Sequence, residues 1–198
     1  MGRIRRERKT NPVILIKYEG KKSAEQVYFN NFRRRNLRIK YATGNSTDIQ
    51  GMLEDLINYM KKEDISADKQ DKIYLVLDTD LEDYKIKDLL EIEPICKEKG
   101  IEIITSAPTF EIWYLMHFRS SNLVFQSSEA VKKSLKDYIK DYKETKNIYP
   151  SISDNTVKAI KTAKEYELRG KETNENNYQV NPHTDVYMIV EEIEKTRD

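Results

Sequence analysis

Two acidic groups in this chain stand directly behind apolar runs. Glu19 follows Val13-Ile-Leu-Ile-Lys-Tyr18, and Asp78-Thr-Asp80 follows Lys72-Ile-Tyr-Leu-Val-Leu77. In open α/β sheets, ligands bind outside the carboxyl ends of the strands, where the loops leave the sheet. Residues two apart in extended chain point to one side, so Asp78 and Asp80 are expected to present paired carboxylates. Hard oxygen donors of this kind suit Mg²⁺ (or Mn²⁺), which takes one or two protein carboxylates and leaves its other positions to water and phosphate. The plainer alternative makes Asp78 a turn cap and Glu19-Gly20 a tight turn. A third acid, Glu111, sits within Phe110–Phe118, a stretch that is otherwise almost wholly apolar. A helix apolar all round is buried. A carboxylate inside it needs a partner, either a salt bridge or a bound cation. His117, about 240° around that helix from Glu111, cannot share its face and reads as a hydrogen-bonded core residue.

These acids need elements to position them. Val13–Lys17 and Lys72–Leu77 are short apolar runs, as expected of strands covered on both faces. Leu37–Ala42 and Ile101–Thr105 supply two more strands. Between them, Ser23 opens a helix carrying Val27, Tyr28 and Phe32, and Ser46 or Thr47 opens another carrying Ile49, Met52, Leu53, Leu56, Ile57 and Met60. A third helix, over about 85–98, stops at Gly100. Alternation at these lengths predicts right-handed crossovers and an α/β fold, an open, mostly parallel four-stranded sheet with flanking helices.

From Ser106 onward, with Ser106 as a cap, helices are expected over roughly 108–118, 128–142, 154–168 and 184–196. Tyr138 and Tyr142, four residues apart, read as helix packing. Asn181-Pro-His-Thr-Asp-Val186 reads as a turn plus helix cap with His183 exposed. The expected organisation is a basic arm over 1–12, an α/β core over 13–120 and a helical C-terminal extension over 121–198 packed on that core.

The 198 residues carry 35 Lys/Arg and 34 Asp/Glu, a net charge of +1. That balance hides an asymmetry, since residues 1–40 hold thirteen basic and three acidic side chains. The basic ones cluster at Arg3, Arg5, Arg6, Arg8 and Lys9, and again at Arg33, Arg34, Arg35, Arg38 and Lys40. Clustered cations are what phosphate contacts require, so Arg33, Arg34, Arg35 and Arg38 are candidate nucleic-acid contacts; a solvated face is the alternative. Lys21 and Lys22, just behind Glu19, either reach a phosphate at the sheet edge or are simply hydrated. No apolar run approaches a membrane span, no signal-peptide core follows the basic start, and Cys96 alone allows no internal disulfide. A cytoplasmic protein is expected. The absence of a GxxxxGK[ST] motif argues against a Walker-type ATP site in this chain.

Four ordered blocks, YEGKKSAEQVYFNNF, IYLVLDTD, TSAPTFEIWYLMHF and VNPHTDVYMIV, resemble the RloB-like family of bacterial defence proteins over about residues 13–193. The resemblance implies a Toprim-type (Rossmann-like) catalytic domain, with Glu19 as general acid/base and Asp78 and Asp80 as Mg²⁺ ligands, Glu19 sharing in the metal. Glu111, a candidate catalytic residue because a carboxylate inside an apolar helix must be paired or metal-bound, falls within the family's S-N-P-x-F-E block, here Ser106-Ala-Pro-Thr-Phe-Glu111, in which Ala107 replaces an Asn. Where members often read EG-x-K-T-E, this chain reads EGKKSAE, with Ser23 and Glu25 in loose register. The implied function is a Mg²⁺-dependent nuclease cutting DNA or RNA, with an ATPase as partner protein. A non-catalytic adaptor of that ATPase that senses nucleic acid is the alternative, and nucleotidyl transfer a third reading. A homo-oligomer stays open.

Overall fold

The longest alternation of apolar runs and amphipathic stretches becomes a sheet with helices on both faces. The computed structural model describes residues 12–20, 23–173 and 177–196. In chain order the core elements are β1 (Val13–Tyr18), α1 (Ala24–Phe29), β2 (Arg38–Tyr41), α2 (Ile49–Glu63), β3 (Lys72–Asp78), α3 (Asp83–Glu98) and β4 (Ile101–Ala107). After them come α4 (Glu111–Phe118), α5 (Ser128–Leu135), α6 (Tyr149–Ile152), α7 (Thr156–Glu172), β5 (His183–Thr184) and α8 (Val186–Lys195). The sheet order is β2-β1-β3-β4-β5; the first four strands are parallel and β5 is antiparallel to β4.

Both sheet faces are buried, which is why β1 and β3 read as continuous apolar runs rather than alternating ones. Val13, Leu15, Ile73, Leu75 and Leu77 face α2 and α3, meeting Met52, Leu56, Leu89 and Ile92. Ile14, Ile16, Tyr74, Val76 and Ile104 face the other layer, built from α1, α4, α7 and α8. Asp48 rather than Ser46 or Thr47 caps α2, its Oδ1 accepting from Gly51 N at 2.8 Å. Gly100 ends α3 in the left-handed region at φ +65°, and a Cβ there would meet the Cβ of Ala67 at 2.5 Å.

From Ser106 onward, four expectations change. A fifth strand exists: His183 pairs with Ala107 and Thr184 with Ser106. That pairing buries His183 to 1% exposure, so the exposed histidine expected in a helix cap is instead a sheet residue. Ser106 is likewise not a cap; it ends β4, its hydroxyl 2.9 Å from that of Thr184. Finally, α5 stops at Leu135 rather than near 142. Tight turns at Leu135 and Ile139 then fold Tyr142 inward to 4% exposure.

Candidate active site

The carboxyl edge of β1 and β3 carries the acids. Asp78 is the last residue of β3, level with Ser106 on β4, and Tyr18, next to Glu19, is level with Val76. Beyond Asp78 the backbone does not stay extended. Asp80 and Leu81 adopt φ 47° and 61°, which for side-chain-bearing residues costs on the order of 1 kcal/mol each. Backbone bonds hold the turn against that cost: Thr79 N to Ser106 O (2.9 Å), Asp80 N to Pro108 O (3.0 Å) and Glu82 N to Thr79 O (3.0 Å). The β3–α3 turn is thereby fastened to the β4–α4 loop. The same turn separates the two aspartates, because the period-two rule that would pair them holds only for extended chain.

Asp78 belongs to an inner group. Thr109 Oγ1 stands 2.8 Å from Asp78 Oδ2 and 2.8 Å from Glu111 Oε2. A hydroxyl has one proton to give, so it can donate to only one of these carboxyls at a time. Tyr142 donates its phenolic proton to the other oxygen of Glu111 at 2.9 Å. Glu25, on α1, completes the group at 5% exposure. Burial, with the charge of Glu111 adding to it, pushes the Glu25 carboxyl up to about 7. Burial, then the charges of Glu25 and Glu111, hold Asp78 well above the usual carboxylate range. Asp78 Oδ1 is buried and has no hydrogen-bond partner among the described residues.

Asp80 belongs to an outer group organised by Lys85 of α3. The Lys85 ammonium donates to Asp80 Oδ2 at 2.7 Å, to the Asp78 carbonyl at 3.2 Å and to Glu19 Oε2 at 3.4 Å. Ser128, at the start of α5, donates to the other Asp80 oxygen at 2.7 Å. Burial would raise the Asp80 carboxyl, but the hydrogen bonds from Lys85 and Ser128 outweigh it and hold the group below its ordinary range.

A cavity of about 340 Å³ lies against both groups, with Glu19, Glu25, Asp78, Asp80 and Glu111 in its wall, and Glu129, Lys132 and Glu144 contributed by α5 and the segment after it. Lys132 is paired with Glu144 at 2.6 Å and reaches Glu111 at 3.9 Å. Residues past 120 therefore do more than cover the core; they build a wall of the site.

Among the described residues, no three His, Cys, Asp or Glu side chains are disposed as a closed metal-ligand set. Mg²⁺ does not need one, since one or two carboxylates with water and phosphate suffice. The donors here are hard oxygens, and the unpartnered Asp78 Oδ1 is a buried acceptor suited to a cation. The donor set therefore fits Mg²⁺ or Mn²⁺, with Asp78 the residue best placed to hold it.

The basic residues are dispersed. Lys21 and Lys22, and the arm over residues 1–11, lie outside the described residues. Arg34 binds the end of α8, donating to Ile193 O at 2.9 Å and Thr196 Oγ1 at 2.6 Å. Arg38 pairs with Val13 at the amino end of β1, far along the strand from Glu19. Arg33 lies over the Tyr41 ring at 5.4 Å, and Arg35 and Arg38 are exposed. None of the four lines the acidic cavity.

The histidines have structural surroundings. His117 is fully buried with Nδ1 2.9 Å from Trp113 O, and burial lowers it to about 4. His183 Nε2 lies 2.9 Å from Asp185, whose carboxylate accepts from the Thr105 amide and hydroxyl at 3.2 and 3.0 Å.

The fold and the edge define an open α/β protein with a carboxylate-lined cavity at the strand ends. The chain belongs to the RloB-like protein family, whose model matches residues 14–193. No curated protein and no solved structure matches it. Among the described residues, no helix is long and apolar enough to cross a membrane.

Proposed function

We propose that this chain is a Toprim-like, Mg²⁺- or Mn²⁺-dependent nuclease that cleaves phosphodiester bonds of DNA or RNA, acting in bacterial defence inside the cytoplasm beside an ATPase partner. The observation that carries the reading is the cavity at the carboxyl edge. Its wall holds Glu19, Glu25, Asp78, Asp80 and Glu111, while Lys85 and Lys132 are the nearby cations. Such a wall repels a bare phosphate, so a phosphate-bearing substrate enters it only with added positive charge. A divalent cation supplies that charge and acidifies a bound water.

The chain's own residues divide the remaining work. Asp78 offers its unpartnered oxygen to the cation. Thr109 and Tyr142 orient Glu111 and keep its carboxyl turned toward the cavity. Glu19, whose side chain is 41% exposed, stands at the cavity mouth within reach of water and is assigned the general acid/base role. Lys132, 34% exposed at the cavity wall, offsets charge on the substrate phosphate.

The alternative adaptor reading draws on one feature: Lys85 already pairs with Glu19 and Asp80, as in a purely structural ion-pair network. The two readings part in one comparison. Metal-dependent cleavage and phage protection should both disappear in Asp78→Asn and Glu19→Gln, with the fold kept. Protection undiminished in both variants would remove the nuclease and leave the adaptor.

A further inference from the structure

The Glu19–Lys85–Asp80 bridge is a partition. On one side is the 340 Å³ cavity with the inner carboxyls; on the other is a second cavity of about 460 Å³, bounded by Thr47, Asp48, Tyr84 and Asp88. The Lys85 side chain is only 12% exposed, and its stem is fixed in the first turn of α3. Its ammonium faces three oxygens, two from carboxylates and one from a carbonyl. These stand at 2.7–3.4 Å, the spacing of N–H···O bonds, whereas Mg²⁺ draws oxygens to about 2.0–2.1 Å. The outer carboxylates are thus both partly compensated and spaced for an ammonium. The inner Asp78 has no such cation: its Oδ1 is buried and has no hydrogen-bond partner among the described residues.

We propose that the Lys85 ammonium is a resident cation, filling the place a second metal takes in two-metal phosphodiesterases, so that this site loads one divalent ion, on the Asp78 side. The proposal rests on the metal-dependent reading above and goes further by fixing the stoichiometry. Lys85 offsets one of the two outer carboxylate charges, and a further dication would have to expel its nearly buried side chain from three oxygen contacts. Removing the ammonium frees Glu19 and Asp80 to act with the Asp78 carbonyl as a second, hard-oxygen cradle. Arg at position 85 keeps the charge and so keeps the single ion.

The test is a count of bound Mn²⁺ on the metal-stripped full-length chain, by the free-Mn²⁺ electron paramagnetic resonance signal and by calorimetry, with melting curves to verify folding. Wild type is expected to bind one Mn²⁺ per chain, Lys85→Arg one, and Lys85→Met two. Two ions on wild type would overturn the resident-cation proposal while leaving metal dependence intact. One ion on a folded Lys85→Met would overturn it equally. No Mn²⁺ on either wild type or Lys85→Met would bring down the metal-dependent reading itself. Should Lys85→Met not fold, the counts on wild type and Lys85→Arg decide, two ions on either being fatal.

Discussion

A single residue, Glu25, shows what the site costs the fold. Its carboxyl, buried beside Glu111, is pushed up to about 7 from an unfolded value near 4.5. Between those values the folded state binds the extra proton, so stability rises as pH falls from 7 to 4.5 and is lost as pH rises through 7. A shift of that size corresponds to a cost on the order of 3 kcal/mol above pH 7. Glu25→Gln should therefore melt several degrees higher than wild type at pH 8, the gap closing by pH 5; a gap that widens on acidification would contradict the assignment. His117, lowered to about 4, works in the opposite sense over a similar window. Its neutral ring is stable above 6.5, and that stability is lost as pH falls toward 4, so the test belongs on the Glu25 variant rather than on the wild-type pH profile. The residue-scale signal in the sequence was uneven. Glu19, Asp78 and Glu111 stood out because acids behind apolar strands or within an apolar helix need a reason. Lys85, Thr109 and Tyr142 carried no such signal; a lysine five residues after Asp80 on an amphipathic helix, or a tyrosine in a polar loop, acquires its partner only when the chain folds.

Among the elements, β1 carries the same lesson in reverse. Its apolar run contains Lys17, which is 3% exposed in the folded chain. The ammonium is held by Asp55 of α2 at 3.0 Å, and Asp55 also accepts from the Ser46 amide at 3.2 Å. One carboxylate therefore ties strand, loop and helix together. Removing it strands a buried charge, a change that costs about 3 kcal/mol or more in comparable pairs. Asp55→Ala should lower the melting temperature by about 6–12 °C at this chain length, while Lys17→Met, which removes the charge as well, should lose much less. Equal losses from the two would show that burial of Lys17 is not what Asp55 compensates. Strands β1, β3 and β4 were legible as short apolar runs, α2 by its 3.6-residue stripe, α3 by its stop at Gly100 and α4 as an apolar stretch. β5 was not, since two residues have no period, and its pairing depends on the position of Ala107 and Ser106 at the end of a distant strand. The end of α5 was missed because helical spacing of Tyr138 and Tyr142 persists in the sequence although the chain turns twice between Leu135 and Tyr142.

Across the whole molecule, the acidic cavity and Arg38 stand at opposite ends of the sheet. The acidic cavity lies at the carboxyl edge, and Arg38 lies at the level of Val13, five residues before Tyr18 along β1. At about 3.3 Å per residue that separation is roughly 16 Å, or about five steps of a nucleic-acid backbone at 3.4 Å each. If Arg38 guides a nucleic acid to the cavity, it acts on substrates long enough to bridge that span, whereas Arg33, over the Tyr41 ring, lies nearer the carboxyl edge. Arg34 does not belong in the test, because it secures the end of α8 and its loss would destabilise the fold. Replacing Arg33, Arg35 and Arg38 together by Ala should lower the salt slope for a single strand of about 20 nucleotides by roughly 2, with melting curves to confirm that the variant is folded. Binding of a strand of three or four nucleotides at the cavity should hardly change. The measurement is fluorescence anisotropy across a salt series for both lengths with wild type and the triple variant. Unchanged slopes for the long strand would make this edge a solvated surface and send the search for the nucleic-acid path to Lys85, Lys132 and the segments flanking the cavity. A loss shared equally by both lengths would mean that the arginines act through the long-range field of the whole chain rather than through contacts along the sheet.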